Sequence, residues 1–163
     1  MTNRRQAIAF GLIALAVGLT PLVAGSQAPP PASAAYRPGL GDLMTMAVQP
    51  RHLKIGLAGQ QRNWTYAAYE VHELEEALER VAKVWPKWRD VDVAGLIKGS
   101  TESAIDALEQ AIKAKDAARF DEAYGQLTSA CNACHQSSTV GFITIQIPRS
   151  SPFANQDFRP VTP

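Results

Sequence analysis

The chain has 163 residues, 46% of them hydrophobic, which suits one small domain with a single core. Its 16 basic and 15 acidic residues are mixed without a block of either sign, so nothing electrostatic points to a nucleic-acid partner. No serine, histidine and acid set, catalytic carboxylate pair or phosphate-cradling glycine loop is recognisable, which removes the support for a conventional hydrolase or transferase.

At the N-terminus Arg4 and Arg5 precede the apolar run from Ala7 to Leu19, and Pro21 ends it, the pattern of an export signal. Ala32-Ser33-Ala34 and Val23-Ala24-Gly25 are both acceptable cleavage sites. Left uncleaved, the run would be a short membrane anchor, below the about 20 apolar residues a spanning helix needs. Pro29-Pro30-Pro31 and the small residues after it cannot build a core. The expected division is a signal and leader over 1–34, a folded domain over 35–136 and a tail over 137–163, in a chain exported to the periplasm.

From Leu40 to Arg62 apolar residues recur at broadly helical spacing, interrupted by Pro50, which predicts either a kink or a short helix followed by another. Asn63 is placed to cap the next helix, which carries Trp64, Ala67, Val71, Leu74, Leu78 and Val81 on one side and ends before Pro86. Glu70, Glu73, Glu76, Arg80 and Lys83 are expected on its solvated side, with His72 among them. A third helix is predicted from about Val93 to Lys113 along Leu96, Ile97, Ile105, Leu108 and Ile112. Asp116 opens a fourth, whose row Phe120, Ala123, Tyr124, Leu127 continues into Cys131 and Cys134. Four helices with short connections predict an all-α, antiparallel four-helix bundle. Beyond it, Ile143, Ile145 and Ile147 alternate with Thr144 and Gln146, a strand-like pattern in an otherwise irregular tail.

The chemistry lies in Cys131-Asn132-Ala133-Cys134-His135. Two thiols separated by two residues can each add across a haem vinyl group, and the adjoining imidazole can bind the iron as proximal ligand. That reading expects one covalent haem c per chain on Cys131 and Cys134, with His135 on the iron. A disulfide would close only a tiny loop, a thioredoxin-like pair would want a βαβ setting and gives His135 no role, and a zinc site lacks a nearby fourth ligand.

With this motif closing the last of four helices, residues 40 to 136 resemble the class II c-type cytochromes, which include cytochrome c prime. The resemblance implies a haem held between the helices, with its distal side lined by the first helix over about Leu43 to His52. In low-spin members of that family a first-helix methionine is the sixth ligand; in cytochrome c prime that position is open to small gases. Met44 and Met46 match the region of the methionine, and about 200° of helical rotation between them lets at most one face the iron. His52, about 12 Å farther along, would be a separate bis-histidine solution. The resemblance also implies dimers built on the first two helices.

Two departures stand out: Pro50 interrupts the first helix, and the tail after His135 is longer than the family's. Packed over the haem edge, that tail would place Phe142 and the isoleucines as a shield and Arg149 beside a propionate; the alternative is a loosely packed, partly disordered tail. Arg51, Lys54 and Arg62 are either a docking or propionate-facing surface or an ordinary solvated face, and Trp64, Trp85 and Trp88 are expected as apolar caps of the core. The function expected is electron transfer with redox proteins of the periplasm. The alternative is a five-coordinate haem protein that binds nitric oxide or carbon monoxide. A haem enzyme would require a distal acid-base residue, for which only His52 offers itself.

Overall fold

A computed structural model describes residues 36–161; the expected signal, leader and cleavage sites fall outside that range. The described part is helical, with α1 (Leu40–Leu43), a π-helical turn (Met44–Val48), α2 (Gln49–Gln60), α3 (Trp64–Val84), α4 (Val93–Ala114) and α5 (Ala117–Ser137). The sole sheet among these residues is an antiparallel hairpin of β1 (Lys87–Trp88) and β2 (Val91–Asp92), which turns the chain from α3 into α4.

The first three elements run on as one helix, and Pro50 shapes its course. A proline in the first turn of α2 has no N–H to return to the Met46 carbonyl, and its ring crowds that carbonyl. The strain is relieved one step earlier: the N–H of Gln49 reaches back five residues to the Met44 carbonyl, which widens the turn. Leu43 and Val48, five apart, are therefore both buried. The helix neither breaks nor starts afresh at Pro50.

Caps set the remaining boundaries. The Asn63 side chain accepts from the N–H of Tyr66, Asp92 accepts from Gly95, and Asp116 accepts from both Ala118 and Arg119. Lys115, in the left-handed conformation at φ 54°, ends α4 and leads at once into Asp116. Successive helices pack in pairs, α2 on α3, α3 on α4 and α4 on α5, and α5 returns to α2, closing a four-helix bundle around Ile55, Leu74, Leu108, Phe120 and Leu127.

Two surfaces depart from the expected pattern. Glu70, assigned by periodicity to the solvated side of α3, is 1% exposed. It meets Arg51 at 3.1 Å and Lys54 at 3.7 Å from α2, and Arg51 also reaches Glu73 at 3.0 Å. Arg51 and Lys54 are thus ion-pair partners across the α2–α3 interface and not a free basic face. The pattern missed Glu70 because its burial is created by cations on another helix. His72 stands on the exposed side as expected, 3.5 Å from Glu76.

Among the described residues the tail forms no strand. Residues 141–147 have no neighbouring strand to pair with, and their backbone is bound by side chains of the bundle instead. Farther on, Phe158 is buried and stacks on Tyr66 at 5.4 Å between ring centroids, while Asn63 donates to the Arg159 carbonyl and Gln60 to the Pro148 carbonyl. The tail is strapped along α2 and α3.

Candidate functional site

The last three turns of α5 carry the motif because the apolar row of that helix runs straight into it. Phe120, Ala123, Tyr124 and Leu127 are buried against the other helices. Cys131 and Cys134 follow at helical steps and are partly buried. Both are free thiols. Burial, with the neighbouring Cys134 second, pushes the Cys131 thiol up to about 11; burial also raises Cys134. A redox-active C-x-x-C pair needs the opposite, a thiol whose pKa is lowered.

His135 lies one residue farther, and its ring is held. Nδ1 is 2.8 Å from the carbonyl oxygen of Ile143. A carbonyl only accepts, so Nδ1 carries the proton, and in the neutral ring Nε2 keeps its lone pair. This is the state in which an imidazole binds a metal through Nε2.

Across the bundle, α2 and α5 run antiparallel in a register fixed by three contacts: His52 faces Thr128, while Gly56 and Gly59 accept the rings of Tyr124 and Phe120 against bare backbone. A Cβ on Gly59 would lie 2.0 Å from Phe120, so glycine is what permits this approach. Toward its N-terminus the first helix runs on past Val48 to Met44. There α1 and the π turn lean on α3, and the close α2–α5 contact is not continued.

The three distal candidates occupy different settings. Met46 is 78% exposed, and its side chain faces solvent. Met44 is partly buried and packs on the hydrophobic core. His52 is buried, with Nε2 3.0 Å from Thr128 Oγ1 and Nδ1 3.2 Å from the Tyr124 hydroxyl. Thr128 gives its own proton to the Tyr124 carbonyl, so its oxygen accepts from His52 Nε2–H. The Tyr124 hydroxyl also donates to the His52 carbonyl at 2.8 Å, and the rings stack at 4.8 Å. Burial lowers the His52 pKa to about 4 and raises that of Tyr124. The imidazole is neutral, with Nε2–H given to Thr128 and Nδ1 lying against the Tyr124 hydroxyl.

The tail delivers the Ile143 carbonyl to His135, which sequence patterning did not foresee. Phe142 is 83% exposed, Ile143 and Ile147 are half exposed, and Arg149 faces solvent. Trp64, Trp85 and Trp88 pack at the core's edge as expected, and Trp85 donates from its indole to the Pro38 carbonyl. The sequence placed Tyr124 only in the apolar row of α5 and Asn132 only inside the motif, and it gave neither of them, nor Thr128, a role. A hydroxyl at 128, one turn before Cys131 on an apolar row, was the available signal.

Residues 67–137 match the family model described as Cytochrome C', from the first turns of α3 to the end of α5. No curated protein and no solved structure matches the chain significantly. The family match and the four packed helices support a cytochrome c prime-like four-helix protein. That family consists of haem proteins that carry electrons or bind small gases, so the match implies a haem cofactor. The residues fit it: two partly buried thiols and an imidazole held through Nδ1, with Nε2 left to coordinate, sit within five positions of α5. Among the described residues no helix is long and apolar enough to cross a membrane.

Proposed function

We propose that this protein is a periplasmic mono-haem c-type cytochrome acting in electron transfer, with haem c attached through Cys131 and Cys134 and with His135 as proximal ligand. The observation that carries the reading is His135: a carbonyl fixes its Nδ1–H and leaves Nε2 to coordinate, beside the free thiol of Cys134 and one turn from that of Cys131. Thioether attachment balances without an oxidant or a leaving group, since each S–H adds across a vinyl double bond. When bound, the haem supplies a one-electron ferric–ferrous couple. The chain's own work is to hold the imidazole, limit water and present the haem to a redox protein. The N-terminal charge and apolar pattern supports export.

A second reading, capture of nitric oxide or carbon monoxide at an open distal position, is favoured by a specific observation. His52 is bound by Thr128 and Tyr124, and Met46 faces solvent, which leaves Met44 as the remaining protein candidate for the sixth position.

The deciding measurement is the visible spectrum of the purified protein in both oxidation states, with and without carbon monoxide. Covalent haem that survives acid–acetone extraction, and is lost in Cys131→Ala with Cys134→Ala, is the expected result. A low-spin ferrous spectrum indifferent to carbon monoxide, converted to high spin by Met44→Ala, assigns electron transfer with methionine ligation. A five-coordinate ferrous spectrum that shifts with carbon monoxide assigns gas binding. A purified protein without covalent haem defeats both.

A further inference from the structure

The segment after the motif folds back on it through a closed set of bonds. At the end of α5 the N–H of Val140 donates to the His135 carbonyl at 2.9 Å, and the N–H of Ile143 donates to the Val140 carbonyl at 2.9 Å. The Ile143 carbonyl then accepts from His135 Nδ1 at 2.8 Å. Two residues on, Asn132 grips both polar atoms of Ile145: Nδ2 donates to its carbonyl at 2.9 Å, and Oδ1 accepts from its N–H at 2.7 Å. An amide that takes both groups of one residue imitates a strand partner, and it fixes the chain in position and rotation. The turn that starts the return places Thr139 at φ 61°. A β-branched residue in the left-handed region is strained, and such strain persists where the surroundings demand it.

We propose that Asn132, the first intervening residue of the haem motif, is a positioning residue for the axial imidazole: by clamping Ile145 it holds the Ile143 carbonyl on His135 Nδ1. This rests on the haem reading above. The clamp fixes the Nδ1–H tautomer and the ring's rotation, and a hydrogen bond at Nδ1 makes Nε2 a stronger donor to iron. Stronger donation favours the ferric state, so the clamp lowers the reduction potential. The tail thereby becomes part of the site around His135.

The test uses the full-length protein as isolated, wild type against Asn132→Ala and Ile145→Pro. Asn132→Ala removes both clamp atoms; Ile145→Pro removes one N–H from the tail and leaves α5 intact, so it remains informative if the first variant accumulates poorly. Covalent haem content by pyridine haemochrome and thermal midpoint are measured first. In variants that keep haem and fold, the expected result is a higher midpoint potential and loss of the slowly exchanging His135 Nδ1 proton from the NMR spectrum. An unchanged potential together with an unchanged Nδ1 proton overturns the proposal. A wild type without covalent haem defeats the haem reading alone, because fast exchange of the Ile145 amide and an Nε2–H tautomer at His135 would separately overturn the clamp, and slow exchange with the Nδ1–H tautomer would support it.

Discussion

Two histidines on facing helices are held in opposite ways. At mid-bundle His52 is sealed: its Nε2–H is given to Thr128, its Nδ1 lies against the Tyr124 hydroxyl, and burial keeps the ring neutral. Near the end of α5 His135 is held through Nδ1, by a carbonyl of the returning tail. Residue type does not separate the two. What separates them is which nitrogen the protein binds, and that depends on a hydroxyl on one side and a backbone carbonyl on the other. The sealed histidine ties α2 to α5, whereas the half-held one is left with a coordinating atom.

The sealed region depends on α2 staying in place, and its strongest anchor is the ion cluster one residue away. Glu70→Ala leaves Lys54 without its carboxylate and Arg51 with Glu73 alone, and is expected to cost about 3 kcal/mol by urea unfolding. Replacing Glu70, Arg51 and Lys54 together by Leu, Met and Leu should lose far less, because no buried charge is then left alone. A single variant as mild as the triple one would show that the charges are already well solvated.

Acid tests the sealed histidine itself. The unfolded ring titrates at 6.5 and the folded one at about 4, so as pH falls the unfolded chain takes up the proton first. Stability from this group is therefore complete above about pH 6.5 and declines toward pH 4, by up to about 3 kcal/mol. His52→Gln should flatten that slope in unfolding measured across this pH range. The same slope in the variant would remove His52 as its cause.

Smaller effects come from backbone geometry at each region. Gly59→Ala forces α2 away from Phe120 and is expected to destabilise by about 2 kcal/mol. Thr139→Gly, at the turn that sends the tail back to His135, should instead stabilise by about 1 kcal/mol by relieving a left-handed threonine. Calorimetry on the two variants reads both signs. A destabilised Thr139→Gly would mean that the turn carries no strain.

The helices were legible because their signals are local. Asn63 and Asp116 announce the starts of α3 and α5 by their own side chains, Pro86 stands just beyond α3, and the row from Phe120 to Cys134 needs no knowledge of its neighbours. The motif was legible for the same reason: its three residues lie within five positions. Glu70, His52 and the tail were not legible, since each is defined by atoms far away in sequence. Glu70 is buried by cations of α2, His52 is saturated by α5, and the isoleucine alternation that reads as a strand became a segment bound to one asparagine. Local patterning cannot see such partners, and these are the residues that distinguish a structural histidine from a ligand.

The wide turn at Met44–Val48 has a consequence for how this first helix can vary. It amounts to a one-residue insertion absorbed within a single turn, which leaves Leu43 and Val48 both on the buried side although they are five apart. A chain lacking Thr45 would keep those two residues on that side at ordinary four-residue spacing, but would bring a carbonyl back against the ring of Pro50. Proline and extra residue are therefore coupled: either change alone leaves a mismatch, and the two made together restore a regular helix. Relatives of this chain should carry both features or neither.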